Sequence, residues 1–167
     1  MLNPLLTDGI GELSVMDLLA CYARICDQLR QRGVLRSGNN PTGDLAEYLF
    51  CRAFGWQQAK NSVRGYDATD ADGVRYQIKA RRIMGRGSSR ELSAIRDIND
   101  GHFDVLAGLL FDSEFKVQRA ALIPLSCVIE RSSFSAHTKS CKFMLKDEVW
   151  RLPEVRDVTM ELRSVRV

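Results

Sequence analysis

Apolar residues recur at helical spacing from Val15 onward. Leu18, Leu19, Tyr22, Ile25, Cys26 and Leu29 fall on one side of a helix that Ser14 can cap and Gly33 ends. Asp17 stands three residues after Ser14, as a capping-box partner would. The pattern predicts an amphipathic helix over about 14–32 that either covers a core or forms a dimer face. A second helix opens at Asn40-Pro41, where proline's missing N–H costs nothing, and should run to Phe54 and stop at Gly55. Apolar residues nearly encircle it, with Leu45, Ala46 and Leu49 on one side and Phe50, Cys51 and Phe54 on the other. Glu47 shares the second side. A carboxylate among buried apolar neighbours is costly unless it is paired or bound to a cation.

The pattern then changes period. A short strand is expected near Trp56–Ala59, followed by two strands on either side of Asp72-Gly73. The stretch from Arg82 begins as a Gly/Ser/Arg-rich loop and is expected to turn helical from about Ser89, with Leu92, Ile95 and Ile98 on one face. Phe103–Phe111 is an unbroken apolar run, as expected of a strand buried on both faces. Another strand should follow over Val117–Ile123, then a short helix opened by Pro124 and reaching about Glu130. A polar loop through Lys139, a strand near Phe143 and a last helix after Pro153, carrying Val155, Val158 and Leu162, complete the reading.

Composition adds limits. At 167 residues the chain suits one domain, 1–167, and no apolar run approaches the roughly 20 residues of a membrane helix. The first dozen residues lack a basic segment followed by an apolar core, so no secretory signal is expected. Five scattered cysteines without a Cys-x-x-Cys pair fit free thiols in a reducing cytoplasm. His102 and His137 lie far from any paired ligand pattern and are not expected in a site.

The net charge of +3 is small, but it is unevenly spread. Lys60–Arg90 holds eight basic residues against three acids, a local +5 that leaves −2 for the rest of the chain. Such a cluster is solvated surface unless it flanks a site for a phosphate backbone. Arg64, Arg81, Arg82, Arg86 and Arg90 are the candidate nucleic-acid contacts.

The hairpin decides whether there is a site to flank. A two-residue loop pairs Ala71 with Val74 and leaves Asp67 on the face opposite Gln77 and Lys79. A three-residue loop, with Gly73 left-handed in a bulge, pairs Asp70 with Val74 and sets Asp67 across from Gln77 on the face of Lys79. In that second register Asp67 offers a carboxylate oxygen and Gln77 an amide oxygen, both suited to Mg²⁺. Glu47 could add a second negative charge. Lys79 would hold an attacking water or the scissile phosphate, and metal coordination would acidify that water and neutralise the phosphorane, as phosphodiester hydrolysis requires.

A helix with Glu47, a hairpin with Asp67, then Gln77-Ile78-Lys79, a helix and a buried strand resembles the PD-(D/E)XK nuclease superfamily, and more narrowly its Mrr-like restriction-endonuclease branch, in which Gln often replaces the acid before x-Lys. The resemblance covers roughly residues 43–111. It implies an α/β fold with a restriction-endonuclease-like core (αβββαβ), a mixed sheet of four or five strands flanked by helices, over about 40–123. The helix at 14–32 and the segment 132–167 would be additions. It also implies Mg²⁺ dependence and a DNA substrate, so the expectation is a Mg²⁺-dependent endonuclease, with Mn²⁺ as a substitute metal, acting in restriction, defence or repair; the residues do not decide between DNA and RNA. Asp67 and Gln77 match metal ligands, Lys79 the catalytic lysine and Glu47 the helix acid. Tyr66 stands where the motif has proline, and Gln77 lacks the charge of the usual acid. The competing reading is a catalytically inactive nuclease-fold module that binds nucleic acid or a protein partner. A homodimer is compatible with either.

Overall fold

The computed structural model describes residues 9–60 and 65–166. The chain divides into two compact units, one up to Gly38 and one from Asn39.

In the first unit a 3-10 turn, Ile10–Glu12, leads into α1, Val15–Gln31. Ser14 caps α1, its Oγ accepting from the Asp17 N–H at 3.2 Å. Only Cys26 is buried along α1, while Val15, Met16, Leu18, Leu19, Tyr22 and Ile25 are exposed in the single chain. The amphipathic helix is therefore present.

The second unit opens with α2, Thr42–Phe54. Asn40 Oδ1 accepts from the Thr42 N–H at 3.1 Å and from the Thr42 hydroxyl at 2.6 Å, so the expected cap forms although the helix proper starts one residue past Pro41. Gly55 ends it with φ of 68°. The strands are β1 (Gln57–Gln58), β2 (Ala68–Thr69), β3 (Arg75–Arg82), β4 (Glu91–Ile95), β5 (Val105–Phe111), β6 (Val117–Pro124), β7 (Ser133–Ser135), β8 (Ser140–Met144) and β9 (Arg156–Asp157). Two short helices, α3 (Leu125–Arg131) and α4 (Thr159–Arg163), complete the set.

A six-stranded sheet runs in the order β1-β2-β3-β5-β6-β9, and a three-stranded sheet in the order β4-β8-β7. In the larger sheet β3 and β5 are parallel and every other pair is antiparallel. The fold is thus α/β with a mixed sheet. It has six strands rather than four or five, because two-residue strands extend each edge.

Two apolar layers sandwich β5, as its unbroken run of apolar residues requires. On one face Ala107, Leu109 and Phe111 pack with Tyr76 and Ile78 of β3 and with Ala46, Leu49 and Phe50 of α2. Trp56 stacks on Tyr76 at a centroid distance of 3.7 Å and on Phe50 at 5.6 Å, so an aromatic pile pins α2 to the sheet. On the other face Leu106 and Leu110 pack with Leu92 and Ile95 of β4, Phe143 of β8 and Val128 of α3.

The parallel pairing of β3 with β5 demands a crossover, and here the structure corrects the sequence reading. No α-helix forms between Ser89 and β5. The crossover is β4 and a 3-10 turn, Ile98–Asp100. Spacing of three normally puts two strand residues on opposite faces. In β4, however, the register slips one residue between Leu92, opposite Phe143, and Ile95, opposite Cys141. That bulge returns both side chains to the core. The second helix of an αβββαβ core is therefore absent. The helix expected directly after Pro153 is also displaced: β9 comes first, and α4 is only five residues long. No helix among the described residues is long and apolar enough to cross a membrane.

Phe50 is fully buried and Phe134 is 70% exposed. Phe50→Ala is expected to lower unfolding free energy by about 3–5 kcal/mol, and Phe134→Ala to change it by less than about 0.5 kcal/mol. Urea titrations of both variants check the layer assignment; equal effects would contradict it.

Candidate functional site

The β2–β3 hairpin adopts the three-residue loop. Ala68 lies opposite Tyr76 and Thr69 opposite Arg75, and the Asp70 N–H donates to the Val74 carbonyl at 3.2 Å. Gly73 takes φ of 81°, a left-handed conformation that a β-carbon would strain. Asp70 organises the turn: its Oδ1 accepts from the N–H groups of Asp72 and Val74, and its Oδ2 from the Tyr76 hydroxyl at 2.8 Å. With this register Asp67 stands across from Gln77. Tyr76 and Ile78 turn to the α2 layer, and Gln77 and Lys79 to the opposite face.

The strand pairing ends at Asp67, and side chains take over from the backbone. The Asp67 N–H still donates to the Tyr76 carbonyl at 2.8 Å. One step further, the Ile78 N–H finds no backbone acceptor on β2, and Asp67 Oδ2 accepts from it at 2.6 Å. The Gly65 carbonyl instead accepts from Gln77 Nε2 at 3.3 Å. Burial raises the Asp67 pKa above the ordinary carboxylate value, against the opposing pulls of the Ile78 N–H and the Lys79 ammonium.

Gln77 is 8% exposed, and its Oε1 is buried without a hydrogen-bond partner among the described residues. Such an atom costs about 1–3 kcal/mol in desolvation. Gln77 lines a cavity of about 490 Å³ together with Gly65, Lys79, Arg96, Asp97 and His102.

The structure sets Asp67 across from Gln77 and near enough to Lys79 to feel its charge, although Asp67 does not line the cavity, and it places Glu47 on the other side of β3. Glu47 belongs to α2, which covers the Tyr76–Ile78 face, and its Oε2 accepts from Gln58 Nε2 of β1 at 2.7 Å. It does not line the cavity.

The arginines divide in the same way. Arg82 donates to the Ser113 carbonyl and lies over the Phe115 ring at 4.2 Å. Arg90 pairs with Asp147 at 2.8 Å. Arg81 and Arg86 are exposed, and Arg64 lies outside the described residues. Sequence reasoning missed Arg96, Asp97, Asp100 and His102. The dense polar run Asp97-Ile98-Asn99-Asp100-Gly101-His102, just ahead of β5, was the available signal. Asp97, Asp100 and His102 each offer a ligand atom, all within 4.8 Å of one another.

No protein-family model matches the chain, and no curated protein is significantly similar to it in sequence.

The raised Asp67 pKa has a consequence for stability. Between the ordinary value and the raised one, the folded chain holds a proton that the unfolded chain has lost. Stability from this group is therefore greatest below about pH 4 and falls as pH rises through that interval. Asp67→Asn keeps an oxygen for the Ile78 N–H and removes the ionisation. In metal-free buffer its unfolding free energy relative to wild type is expected to rise from pH 4 to pH 7. Paired urea titrations at the two pH values check this; a difference that is flat or falling would refute it.

Proposed function

We propose that the chain is a metal-dependent nuclease that hydrolyses phosphodiester bonds in DNA. The observation that carries this reading is the buried Oε1 of Gln77, without a hydrogen-bond partner among the described residues, on a residue that shares a face with Lys79 and stands across the hairpin from Asp67. An orphaned oxygen acceptor beside a desolvated carboxylate suits a hard cation better than it suits an apoprotein interior. Asp67 and Gln77 would hold Mg²⁺, or Mn²⁺ in its place, which when bound supplies charge neutralisation at a phosphoryl oxygen.

The remaining chemistry belongs to the side chains. Lys79 makes no hydrogen bond or ion pair among the described residues, so its ammonium is available to orient a water or a non-bridging phosphate oxygen. Arg96 lines the same cavity and could hold the adjoining phosphate. Glu47, held by Gln58 on the other side of β3, is left out of this scheme.

A second reading, an inactive module that binds DNA or a protein, is favoured by one observation. Gln77 contributes no charge, and burial disfavours ionised Asp67, so little negative charge is assured at the hairpin itself.

Plasmid incubated with the protein and Mg²⁺ or Mn²⁺ is expected to be nicked or linearised, and EDTA to prevent it. Asp67→Asn and Lys79→Ala should each abolish cleavage while preserving the folded circular-dichroism spectrum. Gln77→Glu should tighten Mg²⁺ binding with cleavage intact or faster. Inert wild type combined with an active Gln77→Glu variant would establish the binding-module reading instead.

The arginines offer an independent check. Arg81→Ala and Arg86→Ala are each expected to weaken DNA binding at all sequences and reduce the log–log salt slope by about one. Arg90→Ala should mainly lower stability through loss of the Asp147 pair. An unchanged slope in the Arg81/Arg86 double variant would mark the cluster as solvated surface.

A further inference from the structure

The cavity beside Gln77 has a second wall, and that wall carries ligand chemistry of a different kind. Asp97 and His102 line it, and Asp100 completes the group, with its Oδ2 3.6 Å from His102 Nε2. Ligand atoms about 2.0–2.2 Å from a first-row ion stand roughly 3–4 Å from one another. The three ligand atoms here lie within 4.8 Å of each other, so closing on an ion needs only small side-chain rotations.

Two features fix the imidazole and the amide in register. His102 packs directly on Gly65: a β-carbon there would sit 2.4 Å from His102 Cβ, and Gly65 holds φ of 98°. The Gly65 carbonyl in turn accepts from Gln77 Nε2. The reverse amide orientation would set Oε1 against that carbonyl, so the bond to Gly65 obliges Oε1 to face elsewhere. Gln77 is more than nine-tenths buried, its Oε1 has no partner among the described residues, and Gln77 lines the same cavity as Asp97 and His102.

We infer that Asp97, Asp100 and His102 form a binding site for a divalent first-row transition ion of the zinc or manganese kind, with Gln77 Oε1 as an additional oxygen ligand. The imidazole separates this site from one built for Mg²⁺, which takes oxygen ligands. Lys79 and Arg96 on the same cavity would repel a bare cation but would hold an anion bound to it, so a metal with a phosphate-type co-ligand is the expected occupant. This inference does not rest on the nuclease reading.

The chain has two histidines, His102 and His137, which makes the test direct. Zn²⁺ is titrated into the intact protein, and both imidazoles are followed by ¹⁵N–¹H correlation spectroscopy. Reading the rings keeps the exposed thiol of Cys21 from being mistaken for the site. His102 is expected to shift saturably while the exposed His137 stays still. Asp97→Asn should weaken the His102 response by about tenfold or more. Asp97 has φ of 51°, a conformation in which asparagine is well tolerated, so the variant should fold. Gln77→Glu should strengthen the response. His102 and His137 shifting together, or an unchanged midpoint in Asp97→Asn, overturns the inference. Asp67→Asn separates the two proposals: cleavage should be lost with the His102 response retained. A wild type that cuts nothing yet shows the His102 response sinks the nuclease reading alone.

Discussion

The burial of β5 on both faces is the constraint from which the architecture follows. A strand with Leu106, Leu109, Leu110 and Phe111 all fully buried needs an apolar cover above and below. The α2 layer supplies one, anchored by Phe50 and Trp56. The bulged β4 and β8 supply the other, over Leu106 and Leu110. Because β3 lies parallel beside β5, with Gln77 next to Leu106 and Lys79 next to Gly108, its second face meets the margin of that cover. The 94–102 segment closes over this margin incompletely, and the cavity is what remains. The polar face of β3 is thus set by where the second apolar layer ends.

A polar group in such a margin is neither solvated nor paired, and the energetics show it. Burial disfavours the ionised form of Asp67, and Gln77 Oε1 finds no hydrogen-bond donor among the described residues. Both features work against the stability of the protein alone, and such compromises gather at sites shaped for a ligand. The hairpin compensates locally. Asp70 fastens the turn through two backbone N–H groups and the Tyr76 hydroxyl, and Arg75 grips Asp104 through two side-chain bonds of 2.8 and 3.0 Å. The strain of the site therefore sits on a frame that is tied firmly at the start of β3.

What was legible in the sequence was local. Ser14 and Asn40 announced their helices, the apolar run announced β5, and the requirement that Asp67 face Gln77 selected the register that Gly73 provides. Leu92, Ile95 and Ile98 misled because a spacing of three reads as a helix, and a β-bulge reproduces it in a strand. Nothing within the segment distinguishes the two; the pairing with β8, some fifty residues later, decides. The same blindness to distant partners hid His102. Its neighbours Asp97 and Asp100 follow an irregular spacing, and its contact with Gly65 joins chain segments that no local pattern links. Glu47 illustrates the converse. Its apolar helical neighbours correctly marked it as a carboxylate needing a partner, and that partner proved to be Gln58 on β1.

The identity of residue 77 can be understood from burial and charge together. A carboxylate at that position, more than nine-tenths buried and across from Asp67, would place two acids in a region where one already resists ionisation. Without a cation one of them would stay protonated, or the hairpin would bear the cost of a second desolvated charge. An amide offers the same oxygen in the same place, with no charge to desolvate. The affinity lost with that charge has to come from elsewhere, and the exposed carboxylates at the cavity wall are those of the 97–102 turn. In the proposed metal site, exposed acids on the turn would attract the cation, and a neutral oxygen in the interior would complete its ligands without a second charge to desolvate.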